Sequence, residues 1–220
     1  MEINSYIDHT LLKCDAVYQD IEKLCREAEE YSFASVCVNG CWVSSAFALL
    51  GSSPVRVCTV VGFPLGACTS ETKAYEALNA VGNGADEIDM VMAVGLLKSG
   101  QDSDVRNDIE LVRNSCSGKV LKVIIETCFL TQDEKRRACM CAIDAGADFI
   151  KTSTGFGNGG ATVEDVRLMA ECAGSRAKIK ASGGIRSRET AEQMIGAGAS
   201  RLGTSSGIII VNGGQAEGAY

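Results

Sequence analysis

The chain is short of several residue types, and each shortage removes a class of function. It has one histidine, His9, with no second imidazole and no cluster of carboxylates around it. A metal site is therefore not expected, and no Ser/His/Asp arrangement is legible. No cluster of lysine and arginine offsets the formal charge of −7, which argues against nucleic acid as a partner. No apolar run approaches the roughly 20 residues that span a bilayer, so no membrane partner is expected. The start, Met1-Glu-Ile-Asn-Ser-Tyr6, lacks the basic region and apolar core of a secretory signal. Cysteine runs the other way, with eleven copies. Five of them (Cys25, Cys58, Cys139, Cys141, Cys172) fall within apolar helix or strand patterns, where free thiols behave as small hydrophobes. No pair of CxxC motifs suggests zinc, and a reduced, cytoplasmic setting is the simpler expectation.

What the chain does have is a repeated alternation of strand and helix. Strand patterns centre on Ile7, Val36, Val57, Ile88, Val123, Ile150, Ile179 and Leu202. Helical patterns lie between them, at 16–31, 43–50, 69–81 and 103–115 and after the caps Thr131, Thr162 and Ser187. Thr131-Gln-Asp-Glu134 is a capping box. Gly84-Ala-Asp86, Gly146-Ala-Asp148 and Gly198-Ala-Ser200 each close a helix and hand over to a strand, which suggests a chain built from equal units. Eight such units predict an α/β chain folded as one (β/α)8 TIM barrel over residues 1–212, with a flexible tail at 213–220. An open doubly wound sheet is the alternative, but no GxGxxG turn follows the first strand.

Two strand exits carry lysine. Phe149-Ile-Lys-Thr-Ser-Thr154 puts Lys151 where a buried strand should end, and Lys178-Ile-Lys-Ala-Ser-Gly-Gly184 does the same with Lys180. A buried ammonium costs several kcal/mol unless it is paired or neutralised. Neighbouring parallel strands lie about 4.8 Å apart, so the two lysines should stand side by side. At an effective dielectric near 20, ammonium groups roughly 5 Å apart repel by about 3 kcal/mol, enough to lower one pKa by about two units. A partly neutral lysine attacks carbonyls, and the pair reads as Schiff-base chemistry.

In a barrel, polar residues at the C-terminal strand ends converge on one mouth. Here they are Asp8, Thr10, Asn39, Asp89, Glu126, Thr127, Lys151, Lys180 and the turn Gly203-Thr-Ser-Ser206. Asp89 sits in an otherwise apolar strand and needs a cation, which the lysines supply. It either neutralises them or relays protons as a general acid/base. The turns Ser182-Gly-Gly-Ile185 and Gly203-Thr-Ser-Ser-Gly207 follow the seventh and eighth strands, where barrels often hold a phosphate. Glycine also serves plain turns, but beside a lysine pair these loops suggest a phosphorylated carbonyl substrate.

Ile7-Asp-His-Thr-Leu-Leu12, Val36-Cys-Val-Asn39, Val61-Gly-Phe-Pro-Leu-Gly66, Gly84-Ala-Asp-Glu-Ile-Asp-Met-Val91, Lys122-Val-Ile-Ile-Glu-Thr127, Phe149-Ile-Lys-Thr-Ser-Thr-Gly-Phe156, Lys180-Ala-Ser-Gly-Gly-Ile-Arg186 and Gly198-Ala-Ser-Arg-Leu-Gly-Thr-Ser-Ser206 run in order along the chain. Together they resemble the deoxyribose-phosphate aldolases. The resemblance implies a class I aldolase that reversibly cleaves 2-deoxy-D-ribose 5-phosphate to D-glyceraldehyde 3-phosphate and acetaldehyde, in deoxyribonucleotide catabolism, with no cofactor and no metal. It implies Lys151 as the Schiff-base lysine, Lys180 as the neighbour that depresses its pKa, and Asp89 as proton shuttle. Asp8, Thr10, Asn39, Thr127 and Thr152 would meet the substrate. Gly155, Gly183, Gly184, Gly203, Ser205 and Ser206 would cradle the phosphate, and a homodimer is the expected assembly. The chain departs from the family at Gly40, usually proline or alanine, and at Ala93, usually asparagine. Two other readings are another Schiff-base sugar-phosphate aldolase or transaldolase, and a non-catalytic sugar-phosphate-binding barrel. Acetaldehyde as donor separates the first, and retention of both lysines with Asp89 argues against the second.

The end of the chain generates a prediction of its own. Gly213-Gly-Gln-Ala-Glu-Gly-Ala-Tyr220 reads as a frayed glycine-rich end, yet it stops on a phenol able to carry a proton to an enamine carbon. Some members of the family end in a tyrosine credited with that role. If Tyr220 does this, Tyr220→Phe slows proton exchange at the acetaldehyde methyl and leaves Schiff-base formation nearly unchanged. Full exchange and cleavage rates in the Phe variant would make Tyr220 an ordinary end.

Overall fold

Gly84, Gly146 and Gly198 stand just past their helices with φ of +105°, +81° and +115°, a conformation cheap only for glycine. The alanine after each sends its N–H back five residues, Ala85 to Ala80, Ala147 to Ala142 and Ala199 to Met194, each at 3.0 Å. This closes the helix in a Schellman-type turn. The next residue opens the strand: Asp86, Asp148 and Ser200 donate to the carbonyls of Val57, Leu121 and Ile179 at 2.8, 2.9 and 2.9 Å. A fourth copy is hidden in the sequence, because Ser32, at φ +52°, takes the place of glycine. Phe33 then returns to Ala28, and Ala34 reaches Ile7, both at 2.9 Å.

The computed structural model describes residues 3–216, and these joints deliver a closed parallel barrel whose strands follow chain order. The strands are β1 (Ile7–Leu11), β2 (Ser35–Val38), β3 (Arg56–Val61), β4 (Glu87–Val91), β5 (Val120–Ile124), β6 (Phe149–Lys151), β7 (Lys178–Ser182) and β8 (Arg201–Thr204). The expected (β/α)8 barrel is therefore the fold, and every predicted strand centre lies within a strand. The first strand starts at Ile7, because Asn4–Tyr6 forms a 3-10 turn. The helices are α1 (Tyr18–Glu30), α2 (Val43–Leu50), α3 (Ser70–Gly82), α4 (Val94–Lys98), α5 (Asp102–Ser115), α6 (Gln132–Asp144), α7 (Val163–Ala173), α8 (Arg188–Gly196) and α9 (Gly207–Val211). The predicted cap residues Thr131, Thr162 and Ser187 accept from the backbone N–H of Glu134, Asp165 and Thr190. Among the described residues no helix is long and apolar enough to cross a membrane.

Strand periodicity then divides the side chains between two environments. Ile7, Val36, Ile88, Val123, Ile150 and Leu202 belong to the main apolar core, which lies between barrel and helices. The alternate residues Asp8, Asp89, Lys122, Lys180 and Arg201 meet one another inside the barrel. After α9 the chain is tied back: Gln215 bridges to Ser187, and Ala216 donates to the Arg186 carbonyl at 2.9 Å. Tyr220 lies outside the described residues.

Helix packing around the barrel includes two buried ion pairs. Since α4 is little more than one turn, α3 packs directly on α5, and Lys73 reaches Asp108 at 2.6 Å with both side chains buried. Lys135 and Asp165 make the same contact between α6 and α7 at 2.5 Å. Removing one partner of such a pair leaves a buried charge, which costs about 3–5 kcal/mol. Asp108→Ala should lower the unfolding free energy by that amount in urea titration, and Lys73→Met with Asp108→Leu should recover most of it. A single variant as stable as the parent protein would show that the pair is not what holds α3 on α5.

Candidate active site

β4 contributes two inward carboxylates two residues apart, Glu87 and Asp89, as strand alternation requires. Asp89 is fully buried, and its two oxygens are shared among three lysines. Oδ1 takes Lys122 Nζ at 2.7 Å, while Oδ2 takes both Lys151 and Lys180, each at 2.7 Å. Lys151 and Lys180 are direct partners in the β6–β7 register, so the expected side-by-side pair is present.

Followed outward from Asp89, the contacts form a closed circuit. Lys180 also binds Asp8 Oδ2 at 2.5 Å, and Asp8 Oδ1 binds Arg201 at 2.5 Å. Arg201 binds Glu87 at 3.0 Å, Glu87 binds Lys122 at 2.6 Å, and Lys122 returns to Asp89. Anion and cation alternate around this ring, three of each. Lys151 hangs from it as a fourth cation, with Asp89 as its one carboxylate partner among the described residues.

The ring holds Asp8, Asp89, Lys122 and Lys180 in their charged forms. Burial pushes Asp89 up, but Lys122, Lys151 and Lys180 together bring its carboxyl well below the usual range. Burial also pushes Asp8 up, and Lys180, Lys122 and Arg201 outweigh it in the same way. Burial works against the ammonium of Lys180, but Asp8 and Asp89 raise it above the ordinary lysine value. Lys122 is raised likewise by Asp89, Cys58 and Glu87 against its burial.

The wall on the β2–β3 side is apolar, made of Leu12, Cys37, Cys58 and Val60 with Phe63 against them. Phe63 meets Phe156 edge-on, ring centres 5.3 Å apart. The sulfurs of Cys37 and Cys58 and a carboxylate oxygen of Asp89 lie within 4.8 Å of one another, a set that could bind a soft metal ion. Both Asp89 oxygens are already engaged by ammonium groups, and Lys122 also lies 3.3 Å from Cys58 Sγ, so a cation there would have to displace cations.

The remaining expected residues divide by position. Asp8 was expected to meet substrate at the mouth, but it is fully buried in the ring and also takes Ser35 Oγ at 2.7 Å. Thr10 spends its hydroxyl on the Asp8 carbonyl at 2.8 Å. Thr152 accepts from the Ser182 N–H and donates to the Ser182 carbonyl, both at 3.0 Å, so it clamps β6 to β7. Thr127 keeps a buried hydroxyl with no hydrogen-bond partner among the described residues, and so does Ser153. Asn39 stands half-buried at the end of β2. Gly155, Gly183 and Gly184 all have φ between +80° and +87° in the turns after β6 and β7. A Cβ on Gly184 would meet nothing within 4 Å, so that backbone faces open space. Ser205 is exposed and Ser206 half-buried before α9. Gly203 differs: a Cβ there would lie 3.1 Å from Lys180 Cε, so this glycine makes room for the lysine stem.

Sequence reading missed Lys122, Glu87 and Arg201 as site residues. The signal was available for the first two, a charge inside an apolar strand, as at Asp89. It also missed the task of Glu126. This residue adopts φ +52°, and its buried carboxylate accepts from the Thr154 N–H at 3.2 Å and from the Thr154 hydroxyl, which fixes the loop after Lys151.

Comparison with known proteins points in one direction. Residues 3–212 match the model of the DeoC/LacD family aldolases. A deoxyribose-phosphate aldolase of Brevibacillus brevis is 56% identical over 218 residues, covering 99% of both chains. That of Carboxydothermus hydrogenoformans is 59% identical over 216 residues, 96% of this chain and 95% of its own. Among solved structures, the tetrameric deoxyribose phosphate aldolase of Aeropyrum pernix superposes with a TM-score of 0.89 at 34% identity, over 96% of this chain and 89% of that one.

The lowered carboxyls of Asp8 and Asp89 make stability depend on pH. A carboxylate depressed by folding contributes fully above its unfolded value, about 3.9, and loses that contribution as pH falls towards the folded value. Asp8→Asn should therefore be less stable than the parent at neutral pH, and the gap should shrink steadily below about pH 4. Urea unfolding across that range measures it. A gap that stays constant into acid would mean that the Asp8 charge is not what the ring stabilises.

Proposed function

The chain belongs to the DeoC/LacD aldolase family and cleaves 2-deoxy-D-ribose 5-phosphate reversibly to D-glyceraldehyde 3-phosphate and acetaldehyde; we propose that it does so through a Schiff base on Lys151. The observation that carries this is the charge count of the barrel interior. Three buried carboxylates face three buried lysines and the half-buried Arg201, so the fully ionised set carries one positive charge too many. Losing one proton restores balance. Lys151 is the group to lose it, because it alone lies outside the closed ring and shares its one carboxylate oxygen with Lys180.

The neutral amine of Lys151 attacks the aldehyde carbon of the open-chain sugar, and the carbinolamine loses water to give an iminium ion. The iminium draws electrons as the bond between the second and third carbons breaks, and the third-carbon hydroxyl gives up its proton. D-Glyceraldehyde 3-phosphate leaves, and an enamine remains on Lys151. Protonation of the enamine and addition of water release acetaldehyde. Lys180 remains the ammonium and Asp89 the relay between the two nitrogens. Since Asp89 is held well below the usual carboxylate range, a proton enters it from Lys180 only as another leaves for the adduct.

The phosphate is placed on the turns containing Gly155, Gly183, Gly184, Ser205 and Ser206, where positive-φ glycines let backbone approach the oxygens. Thr127 and Asn39 are placed beside the sugar, and Tyr220 as a proton carrier for the enamine. No cofactor is required, because the surplus lysine supplies the electron sink. The working form is put at a cytoplasmic homodimer, for which the exposed Phe47, Tyr75 and Leu78 on α2 and α3 offer an apolar face.

Borohydride reduction with acetaldehyde tests the assignment. The adduct should map to Lys151 and vanish in Lys151→Ala, while Lys180→Ala keeps some adduct at raised pH. Mapping of the adduct to Lys180 in the intact protein would refute it.

A further inference from the structure

Glu87 and Arg201 are the first residues of β4 and β8, at the end of the barrel opposite the mouth. Both line a cavity of about 510 Å³ at that end, with Arg56, Asp86 and Lys119 among its walls. Substrate entering past the C-terminal strand ends meets neither of them. Yet they complete the ring: without Glu87 the contacts from Lys122 to Arg201 are broken, and without Arg201 those from Glu87 to Asp8.

We propose that Glu87 and Arg201 are positioning residues that set, from the far end of the barrel, the pH at which Lys151 becomes a nucleophile. This rests on the reading of Lys151 as the Schiff-base lysine. The titratable and charged groups that share the barrel interior with Lys151 come from all the other strands: Asp8 on β1, Cys37 on β2, Cys58 on β3, Glu87 and Asp89 on β4, Lys122 on β5, Lys180 on β7 and Arg201 on β8, and of these Asp89 touches it. Glu126, beyond β5, is bound to Thr154, and Asp86 at the base is paired with Lys119 at 3.3 Å.

The mechanism is competition for Asp89. While Glu87 holds Lys122 and Arg201, Asp89 is free to share its charge with Lys151. When the Glu87 charge is removed, Lys122 keeps Asp89 as its close carboxylate and the ring becomes net positive. Both effects make a proton on Lys151 less favourable. Removing the Arg201 charge acts in the opposite sense, since the ring becomes net negative and the proton is held more firmly. The effect reaches Lys151 through buried groups, where salt screens little.

The test is the pH profile of kcat/KM, whose ascending limb reports the free enzyme's essential base. Glu87→Gln should move that limb to lower pH by about one unit, the order expected for the loss of one nearby buried charge at an effective dielectric near 20. Arg201→Gln should move it up by a similar amount, and the double variant should return it towards the parent position. Should Arg201→Gln fail to fold, Glu87→Gln and the double variant decide the question. A role confined to packing would lower activity at every pH and leave the limb in place, and that result overturns the proposal. So does a double variant displaced as far as Glu87→Gln. Borohydride labelling of the same proteins keeps the two claims apart. Label on Lys151 with an unmoved limb refutes the inference alone, whereas label on another residue removes the assignment beneath it.

Discussion

The two oxygens of Asp89 are the constraint on which this barrel turns. A carboxylate at full burial is costly unless its lone pairs are matched by donors, and here three ammonium groups supply them. Those ammonium groups are themselves buried and need further carboxylates, which Asp8 and Glu87 provide, and Arg201 joins the two. The circuit closes only because strand alternation aims a side chain inward at every second residue of five different strands. Barrels of this kind are usually filled by layers of branched apolar residues. In this one most of the apolar packing lies outside the strands, and ion pairing shares the middle with the small apolar wall of Leu12, Cys37, Cys58 and Val60.

The helix-to-helix pairs show why the ring has chemistry and they do not. Lys73 with Asp108, and Lys135 with Asp165, are also lysine–aspartate contacts at 2.6 and 2.5 Å with little solvent access. Each is one cation to one anion, so neither pair carries a surplus charge. The barrel interior differs by a single unit of charge, and on the proposed reading that unit falls to Lys151, at the end of β6, which hangs outside the closed ring. Reactivity follows from an imbalance that the fold holds in place rather than from any property of lysine alone.

Much of this was legible in the chain, and the limits were physical. The Gly-Ala joints could be read because only glycine takes positive φ cheaply, whereas the fourth joint escaped notice because Ser32 accepts that conformation at a cost. The Lys151–Lys180 pair could be read because adjacent strands and equal distances from a turn fix their register. Lys122 gave the same signal as Asp89, one charge within Val-Leu-Lys-Val-Ile, but its meaning depends on contact with Asp89 across the β4–β5 register. Asp8 looked like a mouth residue because strand ends are polar in both settings. Barrel tilt and stagger, which no local pattern encodes, decide whether such a residue faces the substrate or the ring. The engagement of Thr152 has a simpler reason. Its neighbours Lys151 and Ser153 bracket it, and period-2 alternation turns the middle residue away from the barrel axis, towards Ser182 of β7.

The arrangement separates reactivity from recognition. The ring is made of strand residues whose contacts interlock, so no member can be replaced without leaving a buried charge unpaired. The mouth is made of turns: Gly155, Gly183 and Gly184 in left-handed conformations, and Glu126 holding Thr154 from one of its own. These turns are held by backbone shape and close approach: a Cβ on Gly183 would lie 3.0 Å from Gly160 Cα. Lys151 sits at the junction, last in its strand and first before the loop that Glu126 fixes. On the proposed reading its amine is governed by the ring on one side and meets the substrate at the turns on the other. On that same reading, recognition of the sugar phosphate lies with the turns and formation of the Schiff base with the strands.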